Sequence, residues 1–301
     1  MEKTVRNTIK DMTRHHLNNG SKCYGQCLTA VGWVGGTLPE LYEDDGMIEL
    51  SMADVAGAGI VVGAALAGEK PIYVVRYQGF QWYNSPIIAN YAMKSKEIWD
   101  RPCSLLIRSI AMEGGIGPVA GSSHHSIYQR MPGVKIASPM TPDEYISVYN
   151  KFLQDDSVYY ISEHRKSYDN KNELPNIIFQ KAHITLFPIS ITRFAAHEAA
   201  LELNEMGYRV NVIHQLWIKP FVMYEDWTKT LKNSKFGGIV LDDDYEEGAA
   251  SSIAHRMILD SGKLVRTMCL RHRTAGFHPD VDNLPPSKEE IKNKIMEICN
   301  V

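Results

Sequence analysis

The sequence predicts an α/β protein built from two doubly wound domains with mainly parallel sheets. Two observations carry that expectation. Short apolar runs rich in Val and Ile alternate with segments of helical periodicity, first from Ile48 to Ile161 and again from Ile184 to Cys269. Between the two series lies a polar, proline-bearing stretch, Asp169–Ile177. A chain of 301 residues has enough material for two cores. The domains are therefore placed at residues 1–170 and 181–301, with a linker over 171–180.

Val5, Ile9, Met12 and His16 recur at helical spacing and predict an amphipathic helix ending near Gly20. Gly25–Pro39, with Gly32, Gly35 and Gly36, reads as loop, and Ile48–Leu50 as a short strand. A Gly/Ala-rich helix follows from Asp54, closed by Gly68-Glu69-Lys70-Pro71, and then the strand Ile72–Val75. Ile87–Ile98 returns to helical spacing, and Pro102 introduces the apolar strand CSLLIRS. Glu113–Ser126 is a Gly/Ser-rich loop ending in His124 and His125. Val134–Ser138 is a strand, a helix opens at Pro142, and Val158–Ile161 is the next strand. Beyond the linker come the strand Ile184–Ile191, the helix His197–Met206 stopped by Gly207, and the strand Val210–Ile213. A helical stretch around Trp227 and Leu231, the strand Gly238–Leu241, the helix Ser251–Leu259 and the strand Leu264–Cys269 follow. Lys288–Ile298 is the terminal helix, and the acidic run Asp242–Asp244 reads as a strand-end loop rather than a metal site.

Composition narrows the function. With 32 basic and 35 acidic residues the net charge is −3, which gives no reason to expect nucleic acid as a partner. No apolar run reaches the ~18 residues that span a bilayer, and the N-terminal stretch lacks the apolar core of a secretory signal. The five cysteines are odd in number and scattered, with only Cys23 and Cys27 close together, so they read as reduced thiols of a cytoplasmic protein.

The stretch Asp54–Asn90 holds the most chemistry. Its small residues (Ala56, Gly57, Gly59, Gly63, Ala64, Ala65) let a helix approach a neighbouring backbone closely. Asp54 stands at the head of that helix, either as a cap or as a ligand contact. The strand after it runs into the aromatics Tyr77, Phe80, Trp82 and Tyr83. A buried strand beside flat rings, with one acid nearby, makes a wall for a flat ligand. No P-loop, no G-x-G-x-x-G after a strand and no G-x-S-x-G elbow is present, so phosphate-loop, Rossmann and serine-hydrolase chemistry are not indicated.

Gly63-Ala64-Ala65-Leu66-Ala67-Gly68-Glu69-Lys70-Pro71, Phe80 and Asn90-Tyr91-Ala92-Met93-Lys94 occur in an order that resembles the pyrimidine-binding domain of thiamine-diphosphate enzymes. Within that group the chain is most similar to the β subunits of 2-oxoacid dehydrogenase first components. His125-Ser126, Pro132-Gly133-Val134-Lys135-Ile136 and Glu163–Tyr168 extend the resemblance. Gly207, Ile218-Lys219-Pro220 and Glu247-Gly248 resemble the transketolase-type C-terminal domain of the same family.

The resemblance implies a thiamine-diphosphate cofactor whose aminopyrimidine ring is hydrogen-bonded by a carboxylate, here Asp54. It also implies ring contacts from Phe80 and Tyr77, and a polar or proton-donating role for His125. The family carries glutamate where this chain has Asp54, which is one methylene, roughly 1.5 Å, shorter in reach. The family's G-D-G…N diphosphate and Mg²⁺ motif is absent. An α-type partner chain is therefore expected to supply the metal site, in an α₂β₂ heterotetramer with no metal ligands on this chain. The expected reaction cleaves or transfers the carbon unit beside the carbonyl of a 2-oxoacid or ketose. The alternatives are the C-terminal subunit of a split transketolase, a non-oxidative carboligase, and a non-catalytic scaffold subunit.

Overall fold

The computed structural model describes residues 3–113, 119–274 and 282–299; within the Glu113–Ser126 loop, residues 114–118 lie outside that set. The chain divides into two compact units, Met1–Met112 with Ser123–Glu173, and Glu113–Ser122 with Leu174–Val301.

In the first unit, α1 (Val5–Asn18) is opened by the Thr4 hydroxyl, which accepts from the Asn7 amide at 3.2 Å. Val5, Ile9, Thr13, His16 and Leu17 form its buried stripe. The strands are β1 (Cys23–Gly25), β2 (Met47–Glu49), β3 (Ile72–Val75), β4 (Leu105–Ala111), β5 (Val134–Ala137) and β6 (Val158–His164). They lie in the order β2-β1-β3-β4-β6-β5, and every pair is parallel. Every residue of β4 and β6 is buried, the pattern of central strands covered on both faces.

Two parts of this unit differ from the sequence expectation. The Gly25–Pro39 loop begins with the end of an unforeseen strand, β1, and contains a short helical turn, α2 (Gly32–Gly36). Trp33, Val34 and Gly35 in that turn are left-handed, with φ near 50–60°. For a β-branched residue such as Val34 that conformation is strained. The single helix expected over Ile87–Ile98 is instead α4 (Gln81–Ile87), a π-turn (Ile88–Ala92) and α5 (Ser95–Trp99). Pro86 lies inside α4 and cannot donate to the helical ladder, and Asp100 ends α5 in the left-handed region. The Gly/Ala helix is α3 (Asp54–Leu66), and α6 (Pro142–Leu153) starts at its proline.

The second unit has a four-stranded parallel sheet in the order β11-β10-β7-β8. Its strands are β7 (Ile184–Pro188), β8 (Val210–Val212), β10 (Gly238–Tyr245) and β11 (Val265–Leu270); the short β9 (Trp217–Lys219) was not foreseen. The helices are α7 (Thr192–Glu205), α8 (Glu225–Lys232), α9 (Ala249–Ser261) and α10 (Lys288–Cys299). Its core joins Leu186, Ile239 and Leu241 to the alanines of α7 and to Ile291 and Ile295 of α10. The run Asp242–Asp244, expected in a loop, is buried inside β10. The Asp242 carboxylate accepts from the Asp243 amide at 2.9 Å and Asp244 from the Tyr245 amide at 2.7 Å.

Candidate active site

Asp54 is the first residue of α3, following Ala53 at the cap position, and no side chain caps this helix. The capping alternative for Asp54 is thereby corrected. Its Oδ1 accepts from Gln26 Nε2 at 3.3 Å. Burial raises the Asp54 pKa, opposed by hydrogen bonds from its own amide and from Gln26. Tyr73 on β3 is nearly fully buried, and its phenol is pushed up to about 12, first by burial, with the Asp54 charge adding to the shift. Asn84 of α4, also fully buried, exerts the opposite pull on Tyr73, yet neither of its amide atoms has a hydrogen-bond partner of ordinary geometry.

The structure brings three of the four sequence-chosen residues together. Asp54, Tyr77 and Phe80 line one pocket of about 110 Å³, with Gln26, Met52 and Tyr73. Phe80 and Tyr77 belong to the turn that follows β3, and their ring centroids are 5.7 Å apart at 44°. The pocket thus has a partly desolvated carboxylate on one wall and tilted aromatic faces on another. A flat heterocycle with ring N–H or amino groups satisfies both.

His125 is not among the lining residues. It is fully buried at the start of a short 3-10 turn (His125–Tyr128), and its Nδ1 lies 3.2 Å from Ser162 Oγ. That hydroxyl also accepts from Gln78 Nε2 at 2.8 Å, and Gln78 Oε1 accepts from the His124 amide at 2.6 Å. Gln81 Nε2 donates to Ser109 Oγ at 3.0 Å, and the Tyr128 hydroxyl donates to Gln81 Oε1 at 2.7 Å. Gln78 and Gln81 therefore fasten the Tyr77–Phe80 turn to the histidine turn and to β4 and β6. Sequence reasoning missed both glutamines. The only signal was two amides flanking Phe80 in an otherwise aromatic cluster, since fully buried Gln is kept where each end finds a partner.

A second polar knot lies beneath. Arg108 of β4 and Glu163 of β6 are fully buried and paired in a fork, at 2.5 Å (Nε–Oε1) and 3.0 Å (Nη2–Oε2). The Tyr168 hydroxyl donates to the same carboxylate at 2.9 Å, and Arg108 Nη2 reaches Thr37 Oγ1 at 3.1 Å. Thr37 in turn donates to the Val34 carbonyl at 2.9 Å, which ties the left-handed turn to the sheet. Cys23 is buried with its thiol pushed up to about 12, as expected of a core thiol rather than a reactive one. All five cysteines are unbridged.

The chain has likenesses among known proteins. Residues 28–171 match the transketolase pyrimidine-binding domain. The chain is 24% identical over 237 residues to the pyruvate dehydrogenase E1 component subunit beta of Gracilaria tenuistipitata var. liui, covering 70% of this chain and 72% of that one. A chloroplastic beta-3 subunit of the same enzyme from Oryza sativa subsp. japonica is 22% identical, over 77% of this chain but only 64% of its own length. The 2-oxoisovalerate dehydrogenase subunit beta of Bacillus subtilis is 24% identical over 85% of this chain and 83% of that one. Among solved structures, a split-gene transketolase described as an inactive β4 tetramer superposes with a TM-score of 0.73 at 12% identity, covering 98% of both chains. Transketolase from Campylobacter jejuni superposes at 0.75 and 16% identity, over 97% of this chain and 46% of that one. Residues 28–171 thus match the transketolase pyrimidine-binding domain, and the chain as a whole is similar to β subunits of 2-oxoacid dehydrogenase first components.

Proposed function

We propose that this chain is the β-type subunit of a two-chain thiamine-diphosphate enzyme acting on the bond beside the carbonyl of a 2-oxoacid or ketose, and that Asp54 contacts the cofactor's aminopyrimidine ring. The observation that carries this is the pocket that joins Asp54 to Tyr77 and Phe80. When bound, the cofactor supplies a carbon nucleophile and an electron sink for the bond that breaks. Asp54 accepts the ring's hydrogen bond, and a raised pKa makes it the stronger proton acceptor. Phe80 and Tyr77 hold the ring by apolar contact. Gln78 and Gln81 keep those aromatics in place, and His125 stands behind them through Ser162.

The pocket also bears on the partner. Its 110 Å³ is on the scale of one ring, whereas sites that enclose a whole cofactor occupy about 300–1,000 Å³. The diphosphate and Mg²⁺ are therefore assigned to an α-type chain, in an α₂β₂ assembly with the cofactor at the interface. The α3 surface around Val55 and Ile60 is apolar and exposed, as a face awaiting such a partner would be. The unbridged thiols fit a reducing compartment such as the cytoplasm. The likeness along the full chain to the split transketolase favours, as a second reading, the equivalent subunit of a non-oxidative transferase or carboligase.

The test is turnover of the complex reconstituted with its α-type chain. Asp54→Ala should lower kcat by about 10²–10⁴-fold, the range of a lost acid–base group, and Asp54→Glu should equal or exceed the native rate. Turnover unchanged in Asp54→Ala would leave the scaffold reading standing.

A further inference from the structure

The first unit contains a second pocket, of about 50 Å³, whose lining includes Arg76, Tyr77, Arg165, Val34, Ile110 and Met112. Arg76 and Tyr77 also line the Asp54 pocket, so the two cavities share a wall. We infer that this second pocket is an oxyanion subsite, in which Arg76 and Arg165 receive a carboxylate or phosphate group of the substrate; placing that group on the substrate rests on the cofactor reading above.

The charge arrangement is the main argument. Four arginines lie in this part of the unit, and two are neutralised. Arg108 forms its fork with Glu163, and Arg6 pairs with Asp169 at 2.8 Å while donating to the Gly35 carbonyl. Arg76 and Arg165 have no carboxylate partner among the described residues. Arg76 lies over the Tyr77 ring, 5.4 Å from its centroid, with Nη2 3.5 Å from the Tyr77 hydroxyl. Arg165 is exposed and, among the described residues, reaches the Met112 sulfur at 3.7 Å. Two guanidiniums lining one concavity with no carboxylate partner among the described residues repel each other, and an oxyanion between them removes that cost.

The surroundings define the ligand further. A guanidinium offers donors and no acceptor, and the apolar walls of Val34, Ile110 and Met112 compete for none of them. The Tyr168 hydroxyl is already committed to Glu163, so the open donors belong to the two arginines. The volume admits a single small group rather than a second ring. The left-handed turn supplies Val34 and Gly35 to the wall, and Thr37 and Arg6 hold it there. A substrate whose carbonyl lies at the cofactor pocket would extend its anionic end past Arg76 into this cavity.

The experiment needs no cofactor and so separates this inference from the Asp54 assignment. The purified chain is titrated with inorganic phosphate and, separately, with acetate, following thermal midpoint and calorimetric heat at constant ionic strength. Saturable binding of one or both is expected, and the tighter anion identifies the group. Arg165→Gln and Arg76→Gln should each weaken that binding at least 10-fold, Arg165→Lys should weaken it less, and Arg256→Gln on α9 should leave it unchanged. In the assembled enzyme, Arg165→Gln should raise KM for an anionic substrate about 10-fold or more while kcat changes little. Absence of saturable binding to the free chain would overturn the proposal, as would binding indifferent to both arginines. Loss of α-chain affinity in the variants without any anion binding would assign the arginines to the partner instead. Thiamine-diphosphate binding to the complex, measured in parallel with Asp54→Ala, reports on the cofactor reading alone.

Discussion

Helices α3 and α7 are both built on small residues. In α7, Ala196, Ala199 and Ala200 are fully buried and meet Ile291, Ile295 and Ile298 of α10. Lys288 and Lys292 of α10 fix that contact by reaching Glu202 at 2.7 and 2.6 Å. In α3, Gly57, Ala58, Val61, Val62 and Ala65 face inward, but Val55 and Ile60 are 55% and 53% exposed. A Cβ placed on Gly59 or Gly63 would meet no atom within 4 Å. Small residues admit a neighbour at close range, and α7 has its neighbour in the same chain. A helix that is apolar all round is ordinarily buried, whereas the outer side of α3 is left exposed at Val55 and Ile60, the face given above to the proposed partner.

The sharpest way to break the comparison is at the covered helix. Ile295→Ala should destabilise the second unit by about 2–5 kcal/mol, the cost of a cavity under a fully buried side chain, read from urea unfolding. A loss below 0.5 kcal/mol would mean that α10 does not hold α7 in solution.

Acid behaviour compares the units in another way, because each buries a neutral histidine. Burial pushes His164 of the first unit down to about 3 and His214 of the second to about 2. An imidazole whose folded pKa lies below its unfolded 6.5 takes up protons preferentially on unfolding. Its contribution to stability is thus complete above pH 6.5 and declines as pH falls toward the folded value. His164→Asn should flatten the first unit's acid limb between those two points, and His214→Asn the second's. An unaltered limb in both variants would assign acid unfolding to other groups.

The smallest effect tests the open face most directly. Gly59→Ala adds a methyl at a helical position facing open space, so the isolated chain should gain about 0.5–1 kcal/mol. The same methyl should weaken assembly with the proposed α-type partner, measured by sedimentation. A gain in stability without any change in assembly would place the partner elsewhere.

Much of this fold was legible because buried parallel strands are rich in Val, Ile and Leu, as in Ile72, Val74 and Val75 of β3 and Leu105, Leu106 and Ile107 of β4. The legible part of the site was local for the same kind of reason. Asp54, Tyr77 and Phe80 flank one helix and one strand, so their sequence neighbourhood nearly determines their meeting. The left-handed turn at Trp33 and Val34 was not legible, because neither residue favours that conformation by itself. It is held by Arg6, Thr37 and the Arg108–Glu163 pair, which come from distant parts of the chain. The roles of Gln78 and Gln81 and the setting of His125 were obscure for a related reason, since their partners Ser109, Ser162 and Tyr128 are 28 to 84 residues away.

What the sequence by itself determined is the alternation of strands and helices and the meeting of an acid with aromatic rings beyond the end of β3, because periodicity and short-range geometry are encoded locally. Only the tertiary structure decided that His125 stands behind the pocket rather than on its wall, and that α3 keeps an open apolar side. It also decided which arginines are neutralised and which are left facing a cavity. Those outcomes depend on which long-range partners satisfy a buried charge or amide, and residue spacing does not record that.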